Sequence, residues 1–283
     1  MRESFLKLLR GEPAGEIVWT ADLNYWIAGQ KQSGTAAPAW DAEIGYLELH
    51  RDLGIMPYYY YDQFWVAEPT YDPRIEVVCA AEGTRTIRRW RTPVGELRQE
   101  EVYMPESCST CCTRYPVQTE QDLHVLRYLI EHRRLQPAAL NTYPERLELW
   151  QRYDGVPCLG LPRSPLAAFM YEWAGQEHAI FFLTDHQNLL REIFHTMEEQ
   201  EQPILQAVCH LAPPVVHFPD NLASDIMTGF YDDFLLPIHT RRLERLHAAG
   251  VACAVHLDGS VRGLLPKLVQ AGFDAVEALT PKP

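Results

Sequence analysis

What most constrains this chain is an alternation of short apolar runs with longer amphipathic ones. Residues 156–161, 214–218, 251–256 and 275–279 are apolar runs of strand length. Residues 165–173, 185–199, 230–249 and 264–271 carry helical periodicity between them, and Gly250 and Gly272 close the last two helices. Strands that return through helices lie parallel, because antiparallel neighbours need only a short turn. The front of the chain keeps the same rhythm. A helix at 4–10 stops at Gly11 and Pro13, a strand at 16–20 ends at Asp22, a helix at 41–53 ends at Gly54, and a tyrosine-rich strand follows at 55–60.

Residues 63–117 break that rhythm. The stretches 74–80, 84–91 and 95–103 alternate with period two, and Gly83 and Pro93 punctuate them, so an antiparallel excursion after the second strand is expected. Thr119 is a plausible N-cap for a helix at 120–132. The expectation is one α/β domain over all 283 residues, with six parallel strands and no internal repeat. A (β/α)₈ TIM barrel needs eight strands and usually about 250 residues, so the barrel would lack its last strands. The sixth strand would then present a bare edge for further residues or a second copy of the chain, a homodimer, to cover.

Charge narrows the partners. Lys and Arg number 25 against 38 Asp and Glu, a net −13, which opposes binding to nucleic acid or to an anionic membrane. No apolar run approaches the roughly 18–20 residues that span a bilayer. Arg2, Glu3 and Lys7 stand where a signal peptide needs an apolar core. Seven cysteines over this length are too dilute and odd in number for a disulfide scaffold, so a cytoplasmic protein with reduced thiols is expected.

In a parallel barrel the chemistry sits where strands end at their C-terminal edge. Those positions hold Asp22 and Asn24, Tyr60 and Asp62, Arg163, His217, Asp220 and Asn221, His256 and Asp258, and Glu277. Asp22, Asp220 and Asn221 are the catalytic candidates, and Asn24, Tyr60, Asp62, Arg163 and His217 are candidate contacts for a small-molecule substrate. His256 and Asp258 stand two apart, so their side chains leave a strand on one side, roughly 6–7 Å apart at Cα. With Glu277 on the next strand, about 4.8 Å away laterally, they form a candidate zinc site with one open position. The same residues also read as a turn at Asp258-Gly259 beside a hydrogen-bonded strand histidine. Cys108, Cys111 and Cys112 lack a second thiolate cluster at metal-binding spacing and read as small loop or core cysteines. The run Tyr58 to Tyr61 suits either a flat ligand or ordinary strand packing. Phosphate-loop, Gly-x-Ser-x-Gly and His-Glu-x-x-His patterns are missing from the sequence.

The opening Met1-Arg2-Glu3-Ser4-Phe5-Leu6 with Leu9-Arg10-Gly11-Glu12-Pro13 resembles the start of uroporphyrinogen decarboxylase superfamily proteins. So do Leu235-Leu236-Pro237 with Leu246-His247-Ala248-Ala249-Gly250, and Ala271-Gly272-Phe273-Asp274-Ala275-Val276-Glu277. The resemblance implies a (β/α)₈ barrel and, within the superfamily, looks closest to the corrinoid-linked methyltransferases. True decarboxylases of the family carry an arginine-rich segment after the first strand; this chain has Asp22-Leu23-Asn24-Tyr25-Trp26 there, without arginine. The methyltransferase branch has a His-x-Cys-Gly segment that helps hold zinc, and His256-Leu257-Asp258-Gly259 matches it with aspartate in place of cysteine. The resemblance therefore implies zinc as cofactor and a corrinoid protein as partner. A cofactor-free decarboxylase and a non-catalytic ligand-binding barrel are the alternatives.

Overall fold

A computed structural model describes residues 1–58, 66–138 and 140–279. Three helices lead the chain: α1 (Arg2–Leu9), α2 (Asn24–Gln32) and α3 (Glu43–Leu53). Gly54 stops α3 by taking a left-handed conformation, φ 69°, that a side chain would resist. Five strands follow, β1 (Ala67–Tyr71), β2 (Glu76–Glu82), β3 (Arg85–Thr92), β4 (Gly95–Met104) and β5 (Ser109–Arg114). Strands β2 to β5 form an antiparallel meander in the order of the chain. β1 does not join that meander. It pairs instead with β6 (Arg133–Pro137), which comes after α4 (Glu120–Glu131).

Helix α4 shows why this segment settles as it does. Thr119 accepts from the Asp122 backbone N–H while the Asp122 side chain accepts from the Thr119 N–H, a capping box that stabilises a helix start by about 1 kcal/mol. Leu123, Leu126, Leu129 and Ile130 then form one fully buried stripe, facing β4 and the 25-residue helix α8 (Gln187–Leu211).

The rest alternates strand and helix: α5 (Tyr143–Arg152), β7 (Leu159–Gly160), α6 (Pro165–Ala168), α7 (Gly175–Asp185), α8, β8 (Val215–Leu222), α9 (Ser224–Phe230), α10 (Leu236–Ala248), β9 (Ala252–Leu257), α11 (Leu265–Ala271) and β10 (Ala275–Glu277). Strands β7 to β10 are parallel, in the order β10-β9-β8-β7. Two short extended segments continue the array. The Val156 and Cys158 N–H groups donate to the carbonyls of Pro57 and Tyr58, and Thr20 bridges Met56 in parallel. The parallel order thus runs from residues 18–20 through 56–58 to β10.

Strand parity sorts the side chains into two cores. Val216, Phe218, Cys253, Val255 and Leu257 face the helices and belong to the large core. Val156, Cys158, Val215 and Ala254 point the other way and pack with Met56, Tyr58 and Leu9 in a second, smaller core. Leu9 brings α1 under the sheet as a plug, and the Met1 ammonium fastens that helix to Asp154 at 2.9 Å. The second core exists because the sheet curls. Tyr58 and Glu277 stand four strands apart, about 19 Å along a flat sheet, yet their side chains are hydrogen-bonded at 2.6 Å.

The architecture is mixed α/β, and the described residues do not close a (β/α)₈ barrel. The parallel strands form a curled, open array. A sheet closes only when its first and last strands pair, and here residues 18–20 pair with 56–58 while β10 pairs with β9.

Outside the sheet, Arg242 on α10 lies between Glu198 and Glu201 of α8, hydrogen-bonded to both, and all three are buried. Burial drives the Glu201 carboxyl up to about 7 against the pull of Arg242. The folded state therefore holds this proton from the usual value of 4.5 up to about 7, so Glu201's contribution to stability falls as the pH rises through that window. Glu201→Gln cannot ionise and is expected to gain stability relative to the parent as the pH goes from about 5 to about 8. Urea unfolding of both proteins across that range checks this; a pH-independent difference would contradict it.

Candidate functional site

The concave face changes character along the strands. Its lower layers are apolar, and its C-terminal layer carries Tyr58, His217, His256 and Glu277. Register explains how four bulky groups fit. His217 on β8 is flanked by Gly160 on one side and Ala254 on the other, which leaves its ring room. Glu277 lies directly opposite His256 on the neighbouring strand.

These groups converge on one carboxylate. Glu277 Oε2 lies 2.6 Å from His217 Nδ1 and 3.9 Å from His256 Nδ1, and Glu277 Oε1 accepts from the Tyr58 hydroxyl at 2.6 Å. The Phe5 ring meets Tyr58 edge-on, centroids 5.1 Å apart, and holds it from below. Burial alone would raise the Glu277 pKa; the two histidines beside it and the Tyr58 hydroxyl that donates to it outweigh burial and hold the carboxyl well below its usual range. Cys158 completes the group: its sulfur, one His217 nitrogen and one Glu277 oxygen all lie within 4.8 Å of one another. Burial pushes the Cys158 thiol well up, so by itself it stays protonated.

The donor set fits zinc. Sulfur, imidazole nitrogen and carboxylate oxygen are its usual ligands, at about 2.3, 2.0–2.1 and 2.0–2.2 Å. A tetrahedron of such bonds spaces its donors roughly 3.3–3.8 Å apart, so three donors within 4.8 Å of one another need only small shifts to share an ion, with the 2.6 Å contact of His217 and Glu277 opening as they do so. Zinc would also remove the proton that burial keeps on Cys158.

A cleft of about 760 Å³ opens above this layer. Its wall includes Asp22, Asn24, Arg163, Asn221 and Asp258, with His217 and His256 at its base. Asp22 Oδ1 accepts from both the backbone N–H and the side-chain amide of Asn24, at 2.9 and 2.7 Å, and so shapes the start of α2. Arg163 pairs with Glu172 at 3.1 Å and lies over the Tyr171 ring. Asn221 takes a left-handed φ of 49° and its carbonyl accepts from Tyr171 at 2.6 Å. Asp258 comes one residue after β9 ends, exposed on the cleft wall; the converging donors are Cys158, His217 and Glu277, and Asp258 is not among them. Strand spacing put His256 and Asp258 on one side, but the turn carries Asp258 up and away from Glu277. Tyr60 and Asp62 lie outside the described residues.

Asp220 lies behind the cleft, fully buried. Its Oδ1 accepts from the Ser164 N–H at 2.8 Å, and its Oδ2 lies 2.9 Å from His239 Nε2. The Tyr231 hydroxyl lies 3.0 Å from His239 Nδ1, which extends the chain of polar contacts to the segment between α9 and α10. Burial pushes Asp220 up, but the bonds from His239 and Ser164 prevail and keep it ionised. This network ties β8 to α10 and to the turn before α6.

Sequence reasoning missed Cys158 and His239. Cys158 had a readable signal, since it stands two residues before Gly160 and so shares the inward face. His239 sits inside a helix, and no local pattern pairs it with Asp220.

Among solved structures, the chain is similar to a methyltransferase from Methanosarcina mazei, with a TM-score of 0.53 at 13% identity over 98% of this chain and 75% of that one. No protein-family model matches the chain. No curated protein matches it either. The likeness concerns the fold: a mixed α/β chain arranged like that protein over nearly its whole length. No helix among the described residues is long and apolar enough to cross a membrane.

Asp220→Asn keeps an acceptor for Ser164 but loses the charge that His239 and Ser164 serve. It is expected to lower the unfolding free energy by about 1.5–3 kcal/mol, measured by urea denaturation, with the Cys158–His217–Glu277 group intact.

Proposed function

We propose that this protein is a zinc-assisted methyltransferase that moves a methyl group between a corrinoid carrier and a small thiol acceptor, built on the (β/α)₈ plan of the uroporphyrinogen decarboxylase superfamily. The observation that carries this reading is the mixed sulfur, nitrogen and oxygen donor group at the base of the cleft. The name of the structural neighbour, a methyltransferase, supports the reaction class.

Cys158, His217 and Glu277 would hold the ion and leave a fourth position for the acceptor thiol, with His256 beside Glu277. Zinc held there supplies a charge that ionises a thiol at neutral pH and makes it nucleophilic. The chain's own residues do the positioning. Tyr58 occupies Glu277 Oε1 and leaves Oε2 directed at the histidines. Asn221, Asp258, Tyr25 and Cys108 line the cleft through which acceptor and carrier would approach. Decarboxylation of a polyanionic substrate fits less well, because Asp22 and Asp258 face the cleft against one arginine, Arg163.

Protein purified without chelator is expected to contain stoichiometric zinc by elemental analysis. His217→Ala and Cys158→Ser should each lose it while keeping the circular dichroism of the parent. Tyr58→Phe, which only orients Glu277, should weaken retention by about 10–100-fold. The zinc-loaded parent should demethylate methylcobalamin in the presence of dithiothreitol, followed by the cobalamin absorbance. A parent without metal, or a His217→Ala protein with equal metal, overturns the assignment.

A further inference from the structure

Beside the cleft a second cavity of about 320 Å³ opens between the β1–β6 ribbon, the exit of β7 and α8. It shares Arg163 and Pro219 with the cleft. Most of its wall is apolar, as Ala67 and Leu135 from the ribbon, Leu161 after β7 and Met197 from α8 illustrate. Into this apolar wall the fold sets a guanidinium.

Arg133 begins β6 and is 9% exposed. Its Nε–H donates to Gln200 Oε1 at 3.1 Å, and Gln200 in turn donates to the Arg133 carbonyl at 3.1 Å, which fixes the side chain's direction. Among the described residues its two terminal nitrogens make no hydrogen bond or ion pair, and Arg133 lines the cavity. Arg163 reaches the same space from the opposite wall; one terminal nitrogen pairs with Glu172, and its buried Nε has no partner among the described residues. A buried cation with part of its hydrogen-bonding capacity unmet is costly, and two forked guanidinium groups match the two oxygens of a carboxylate.

The charges also select the ligand. Arg133, Arg163 and Arg242 are surrounded by Glu172, Glu198 and Glu201. That balance is even only when every carboxylate is ionised, and the Glu201 carboxyl is pushed up to about 7. Because Glu172 and Glu201 themselves line the cavity, a single negative charge meets less repulsion there than a phosphate dianion would.

We propose that this cavity binds a monoanionic organic carboxylate with an apolar body, its carboxylate held by Arg133 and Arg163 and its body against Leu135, Leu161 and Met197. The site stands apart from the methyl-transfer reading, since no donor of the Cys158–His217–Glu277 group lines it. Because Arg163 and Pro219 belong to both spaces, a bound acid lies next to the cleft.

Calorimetric titration of the full chain with phenylacetate, phenylacetamide and inorganic phosphate tests this. Phenylacetate is expected to bind at least about tenfold more tightly than its neutral amide, and phosphate not to displace it. Arg133→Gln should weaken phenylacetate by at least about tenfold. Ala67→Phe, which fills the cavity from the ribbon and leaves both arginines in place, should abolish binding; it decides the matter if Arg133→Gln does not fold. His217→Ala should bind phenylacetate like the parent, which separates this cavity from the donor group. Equal affinity for acid and amide, displacement by phosphate, unchanged binding in Ala67→Phe, or loss in His217→Ala would each overturn the proposal.

Discussion

The Glu277 carboxylate is the interaction on which the rest of this structure turns. It sits on the last described strand, yet it is gripped by His217 from two strands away and by Tyr58 from four strands away. A buried carboxylate is stable only with such partners, and Tyr58 reaches it only because the parallel array curls. The curl creates the inner core, and the inner core gives α1 a place to pack. Shape and chemistry meet here: the curl of the sheet brings together the groups of the polar layer that could hold an ion.

Beneath that layer, alternation does the structural work. Residues on one parity of β8 and β9 meet the helices and are large, such as Phe218, Val255 and Leu257. Residues on the other parity are Val215 and Ala254, small enough for facing strands to approach. The two buried polar networks lie on the helix side of this boundary. Asp220 with His239 ties a strand to α10, and Arg242 with Glu198 and Glu201 ties α10 to α8. The first holds a helix in register against the sheet and the second holds two helices against each other, which apolar contact alone specifies less sharply.

Much of this organisation was legible in the residues because it is periodic. Helices with a clear stripe and a cap, such as the one after Thr119, and strands ending on polar residues could be read directly. The antiparallel segment showed in its period of two. The pairing of β1 with β6 could not be read, because the two are separated by a whole meander and a helix, and no local pattern encodes so distant a partner. The site divides along the same line. His217, His256 and Glu277 stood out as polar residues at strand ends, whereas Cys158 looked like a core residue because burial and function ask for the same small side chain. Asp258 was assigned to the donors by strand spacing, and the end of β9 at Leu257 moves it to the wall. Asp220 was read as a reactive strand-end acid, yet complete burial against His239 and Ser164 makes it part of the frame.

The hydrogen bond from Tyr58 to Glu277 joins residues 219 positions apart. Closing so long a loop is entropically costly before the intervening strands are paired, so this contact belongs to the end of folding. During synthesis the first donor groups emerge long before the last. A nascent chain carries its tyrosine, cysteine and histidines as separate, unassembled side chains until residue 277 has left the ribosome. Any ion that this group took up would therefore meet its full set of donors only in a sheet that is already assembled.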